Sequence, residues 1–97
     1  MADIALSARI IVCDRVVHQK VDDEMVLLNL DTGVYHGLGP TGTRFWELLL
    51  EEDSLQRVFD RMSMEYDVSA AQLREDILRL VEELHTHRLV TVDAQST

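Results

Sequence analysis

"EMVLLNLDTGVYHGLGPTG", residues 24–42, carries a strand-like apolar run, a turn, a second β-prone run and a helix start without interruption. In its middle, Asp31 can bond its own backbone and Gly33 can adopt the left-handed conformation, so Asp31, Thr32 and Gly33 suit a three-residue hairpin ending in a bulge. With Leu30 set opposite Val34, Leu28 faces His36 and Val26 faces Leu38, which leaves Met25, Leu27 and Tyr35 on the other side of the sheet. Both sides are substantially apolar. One is expected to pack on helices, and the other is too oily for full exposure. Gly39 then serves as an N-cap, and Pro40 takes the first helical position, where its missing N–H has no intrahelical partner to lose.

Upstream, "ARIIVCDRVVHQKV" is rich in β-branched residues and reads as the opening of the sheet. Downstream, three helical patterns follow. The first, Pro40–Glu51, sets Phe45, Leu48 and Leu49 on one side, with Trp46 and Leu50 on a neighbouring face and Trp46 at the edge of the core. The second starts at Asp53, where Asp53 and Gln56 have capping-box spacing, and ends near Tyr66. The third starts at Ser69, where Ser69 and Gln72 repeat that spacing, and His87 and Arg88 complement its C-terminal dipole. "LVTV" then reads as a short strand or wing, and "DAQST" as a polar tail. The expected fold is α+β, an N-terminal three-stranded antiparallel sheet followed by three helices. One domain spans residues 1–97, with a core over about 15–92 and flexible ends at 1–8 and 93–97.

Two features ask for a partner. The third strand, Val34, Tyr35, His36, Gly37 and Leu38, contains no lysine or proline to guard an edge. It can be covered by the N-terminal "ARIIVC", by a second copy of the chain, or by an extended peptide. On the third helix, Leu73, Ile77, Leu80, Val81 and Leu84 form a stripe about 100° wide, while Leu78 lies near 140° from Leu73. The apolar surface therefore spills over one flank, and Arg74, Leu78, Val81 and His85 are expected to line a second contact surface.

Composition excludes several classes. Eighteen acidic against nine basic residues give a formal charge of −9, which repels nucleic acid and anionic lipid and favours a neutral or basic peptide. A lone Cys13 rules out an internal disulfide, and the absence of a basic, apolar N-terminal leader or a long apolar span points to a cytoplasmic setting with no membrane contact. The histidines His18, His36, His85 and His87 lack metal-ligand spacing. With no nucleophile and base pairing, no phosphate loop and no local carboxylate pair, neither a catalytic residue nor a cofactor is expected.

The run "MVLLNLDTGVYHGLGPTG", the helix with "FWELL", and "YDVSAAQLREDILRLVEELHTHRLV" together resemble the PqqD family of peptide-binding domains, also called RiPP recognition elements. The likeness covers residues 15–92, and the "GPTG" helix start and short length are most similar to the stand-alone members of lasso peptide biosynthesis. The resemblance implies a winged helix-turn-helix-like domain that serves as a non-catalytic peptide chaperone. It would bind the leader of a ribosomally made precursor as an additional antiparallel strand and present it to a modifying enzyme such as a leader peptidase or cyclase. Carried over by position, the implied peptide site is Val34, Tyr35, His36, Gly37 and Leu38 with Arg74, Ile77, Leu78, Val81 and His85. Other peptide pathways, including quinone-cofactor synthesis, fit the same resemblance. Two rival readings are a homodimerising interaction module, with weak self-association also compatible with leader binding, and a DNA-binding winged helix. The third helix's excess of acids over Arg74, Arg79 and Arg88 disfavours the DNA reading.

Overall fold

The computed structural model describes residues 6, 8–52 and 54–93, in the order β1 (Arg9–Val12), β2 (Val16–Val21), β3 (Glu24–Asn29), β4 (Tyr35–Leu38), α1 (Pro40–Glu51), α2 (Leu55–Glu65), α3 (Ala70–Thr86) and β5 (Val90–Asp93). The three-stranded antiparallel sheet is β2-β3-β4, and it leads the three helices as the α+β reading requires. The upstream β-branched run is not one strand. It breaks at Cys13, Asp14 and Arg15, and its first part, β1, pairs with β5 in a separate antiparallel ribbon, Arg9 opposite Asp93 and Val12 opposite Val90. "LVTV" is thus a strand with a partner, and ordered structure starts ahead of the expected core. The expected end segments fall largely on residues outside the described ones, as does Asp53 of the expected capping box.

A two-residue turn, Asp22 and Asp23, joins β2 to β3, with Asp22 at φ 57, a left-handed conformation that aspartate tolerates. Between β3 and β4 the register differs by one residue from the sequence expectation: Leu28 faces Tyr35, Leu27 faces His36, Val26 faces Gly37 and Met25 faces Leu38. The cause is Asn29. Its side-chain Oδ1 accepts from the N–H groups of Asp31 (2.8 Å) and Thr32 (3.1 Å), and its backbone carbonyl accepts from Gly33 N–H, so the loop takes four residues rather than three. Gly33 does adopt the left-handed conformation, at φ 74. Asp31 bonds Arg15 instead, at 2.9 Å.

Period-two alternation sends Met25, Leu27, Asn29, His36 and Leu38 to the helix side. There they meet Phe45, Trp46, Leu48 and Leu49 of α1, all buried, with Leu55, Val58 and Met62 of α2 and Leu73, Ile77, Val81 and Leu84 of α3 completing the core. Each such side chain contributes about 1.5–3 kcal/mol when fully buried. Trp46 is central rather than at the edge: it is fully buried, its indole N–H has no acceptor among the described residues, and His18 sits edge-on to it at 6.4 Å. Its helical neighbour Leu50 is half exposed. Gly39 and Ser69 cap α1 and α3 as read from the sequence, Ser69 accepting from Gln72 N–H, while α2 is capped by Ser54, which accepts from Arg57 N–H.

Arg44 of α1 clasps α2 by donating from both ends of its guanidinium to Glu65, at 2.8 and 2.7 Å. Hydrogen bonding from Arg44 holds the Glu65 carboxyl below its ordinary value, and bonding from Lys20 does the same for Glu47. A depressed carboxylate stabilises the fold above its unfolded value of 4.5 and loses that contribution as pH falls through the lower folded value. Arg44→Gln should therefore flatten the decline of melting temperature on acidification below about pH 4.5. An acid limb as steep as in the unmodified protein would contradict the clasp.

Candidate functional site

β4 lies at one margin of the β2-β3-β4 sheet, and no strand pairs with its outer side among the described residues. The covering segment nearest to hand, β1, is committed to β5. Which groups β4 offers follows from one hydrogen bond. Asn29 N–H donates to Val34 O at 3.0 Å, which marks that pair as bonded, and antiparallel alternation then makes Leu27/His36 and Met25/Leu38 bonded pairs too. Leu28/Tyr35 and Val26/Gly37 are the intervening pairs, so the N–H and C=O groups of Tyr35 and Gly37 point away from β3 toward the open margin. Beyond them the strand stops because Thr43 Oγ1 donates to Leu38 O at 3.2 Å and α1 begins. Gly42 lets that first helical turn approach: a Cβ there would meet the Leu38 side chain at 3.2 Å.

Beside this margin runs a groove of about 400 Å³ between β4 and α3. His36 and Leu38 line it from the strand, and Asp76, Arg79, Leu80 and Glu83 from the helix. Leu38 and Leu80 supply its apolar lining, and Asp76, Arg79 and Glu83 its charged lining. His36 Nε2 stands 3.7 Å from Glu83 Oε1, and the His36 and His87 rings lie 4.9 Å apart, so the end of α3 is drawn against the strand. Asn29 fixes the same junction: its Nδ2 donates to Arg88 O at 2.6 Å, just where Arg88 turns the chain at φ 59 into β5.

Of the strand residues named from the sequence, Val34 lies at the hairpin end with its N–H held by Thr32, and Tyr35 and Gly37 are exposed. On α3, the flank that lines the groove differs from the flank named from the sequence. Arg74 and His85 are exposed and outside the groove lining, and Ile77 and Val81 are buried in the core. Leu78 is half-buried against the core. Leu80 is half-buried against the core in the same way, and it is the one that lines the groove beside β4, at the border of the polar flank. The signal in the sequence was Leu80 flanked by Asp76 and Glu83, a leucine at the margin of the stripe beside acids. Its direction toward β4 depends on tertiary packing.

Burial, Asp14 and Asp31 push the Cys13 thiol up, opposite to the shift of a reactive thiolate. Among the described residues no group of three or more histidine, cysteine or acidic side chains is placed to hold a metal ion. Arg79, the groove's cation, is engaged by Glu75 at 3.2 Å and Asp76 at 3.8 Å, which leaves it poorly placed for a phosphate backbone. No described helix is long and apolar enough to cross a membrane.

A leading three-stranded sheet, three helices and a groove between the last sheet strand and the last helix define a winged helix-turn-helix-like domain. The chain belongs to the family of coenzyme PQQ synthesis protein D (PqqD), which matches residues 24–90. It is similar to TbiB1 in complex with the TbiA(beta) leader peptide, with 32% identity, a TM-score of 0.78, and 89% of this chain and 98% of that chain covered. It is also similar to lasso peptide synthetase B1 complexed with the leader peptide, with 26% identity, a TM-score of 0.76, and 84% and 96% covered. No curated protein matches the chain.

Proposed function

We propose that this domain binds the leader of a ribosomally made precursor as a fourth strand on β4 and hands it to a modifying enzyme, a leader peptidase or cyclase of lasso peptide synthesis. The observation that carries the proposal is the pair of outward-directed residues, Tyr35 and Gly37, beside the β4–α3 groove, in a chain whose structural neighbours were both solved with a leader peptide. The backbone of the incoming strand would satisfy the N–H and C=O groups of Tyr35 and Gly37, each bond giving on the order of 1 kcal/mol net. Alternate side chains would drop onto Leu38 and Leu80 between Asp76 and Glu83, so selectivity would lie in the groove. The domain acts by holding the peptide in place and needs no catalytic group of its own.

Leu80→Glu should weaken binding of a fluorescently labelled leader about tenfold, because it sets a charge on the apolar lining. Leu78→Gln, on the other flank, should leave that affinity within about twofold. Anisotropy titrations of both variants decide the flank. Equal effects, or a larger one at Leu78, would return the site to the spill-over side. The homodimer reading predicts instead that sedimentation shows β4 buried against a second copy without any peptide present.

A further inference from the structure

The β4–α3 groove holds a titratable side chain under the path of the leader. His36 turns to the helix side of β4, where its side chain is 12% exposed, and its Nε2 stands 3.7 Å from Glu83 Oε1, wider than a hydrogen bond but within ion-pair reach. The His87 ring lies 4.9 Å from the His36 ring, and His87 Nδ1 is 2.8 Å from the backbone carbonyl of Glu83. Among the described residues Glu83 is the one carboxylate within 4.0 Å of His36. Asp76 and Arg79 lie along the same groove, Arg79 being engaged by Glu75 and Asp76. The strand β3 sets Leu27 opposite His36, and α1 brings the uncharged Thr41 and Gly42 to the groove.

We infer that leader binding is coupled to the uptake of one proton at His36, so that the complex tightens as pH falls and loosens as pH rises. The inference rests on the proposal that β4 takes the leader. Tyr35 and Gly37 would form the bonded pairs with the added strand, so the leader residue opposite His36 falls in a narrow non-bonded pair and points its side chain to the same helix side. Whatever that side chain is, it shields His36 and the half-exposed carboxylate of Glu83 from solvent. A carboxylate walled off beside a neutral imidazole has lost its water and gained no partner, which is costly. Imidazole is the stronger base of the two and takes the proton, and the resulting ion pair is stronger in the covered groove than in the open one. The loaded domain therefore holds a proton more readily than the free one. By linkage, the proton raises affinity for the leader by the same factor. Imidazoles titrate between about pH 5 and pH 8, so the coupling acts near neutrality. A second proton on His87 would set like charges 4.9 Å apart, which limits the uptake to one.

The test titrates a fluorescently labelled synthetic peptide of the precursor's leader sequence with the domain at about pH 6 and about pH 8, and follows the same binding by calorimetry in phosphate and in Tris, whose different ionisation heats report protons taken up. Affinity of the unmodified domain should be about fivefold or more higher at the lower pH, with net proton uptake on binding near neutrality. His36→Gln keeps a polar side chain without the titrating ring, and Glu83→Gln removes the anion from a half-exposed helix position, so that one variant remains informative should the other fail to fold. In each, the ratio between the two pH values should fall to within about twofold, whatever the absolute affinity. His85→Gln, outside the groove lining, should keep the full ratio. Titration of the peptide's own groups is common to all the variants and cancels from the comparison. Leader that binds equally at both pH values, or more tightly at the higher one, overturns the coupling and leaves the leader site standing. A ratio that survives His36→Gln and disappears in His87→Gln puts the proton on the other ring and overturns the assignment to His36. Absence of leader binding by the unmodified domain at both pH values overturns the peptide proposal and this inference with it.

Discussion

Replacing Tyr35 with proline is expected to weaken leader binding about a hundredfold while leaving the domain folded. Its N–H points away from β3, so proline removes a donor the fold does not use, and proline is tolerated on an edge strand in that position. The incoming peptide, however, loses one main-chain bond worth about 1 kcal/mol and is left with a buried carbonyl lacking a donor, a further cost of about 1–3 kcal/mol; at 1.4 kcal/mol per tenfold the sum is near two decades. Tyr35→Ala separates backbone from side chain: it keeps the N–H and should change affinity only a few-fold. His36→Pro strikes the bonded pair with Leu27 and should instead lower the melting temperature. Titration of labelled leader alongside thermal melts distinguishes the three. Full affinity in Tyr35→Pro would place the peptide elsewhere.

The second large effect falls on stability. Asn29 is 4% exposed and serves two jobs at once, shaping the β3–β4 loop through Asp31 and Thr32 and tying that hairpin to the end of α3 through Arg88 O. Asn29→Ala removes all three side-chain bonds and strands at least one carbonyl where water has poor access, an expected loss of about 2–3 kcal/mol. In a domain of this size that lowers the melting temperature by roughly 10–20 °C. Calorimetry should show the loss, and a shift of only a few degrees would mean that the clasp is incidental. Because the same residue sets the distance from β4 to Glu83 and His87, the variant should also bind leader less tightly under conditions where it remains folded.

The order of elements was legible because its signals are local. Proline after Gly39, serine three before Gln72 and period-two alternation in Glu24–Asn29 each act through neighbouring atoms. The unguarded margin was legible too, since a strand without lysine or proline advertises itself. What escaped was decided by contacts distant in sequence or by side chains with more than one option. Asp31 had an equally good partner in Arg15, and Asn29, buried and tied to Arg88 beyond the end of α3, took over the turn and moved the register by one residue. The apolar flank of α3 pointed to Leu78, whereas Leu80, half-buried against the core like Leu78, is the leucine that lines the groove beside β4. The pairing of β1 with β5, which keeps the chain's own N-terminal strand off the β4 margin, joins segments about eighty residues apart.

Amide exchange resolved by residue puts the central claim to its most direct trial. In the free domain the amides of Tyr35 and Gly37 should exchange rapidly while those of His36 and Leu38 are protected, and saturation with leader should slow Tyr35 and Gly37 selectively. Protection of Tyr35 and Gly37 before any peptide is added, or exchange at those two positions that a saturating leader leaves unchanged, would contradict the account.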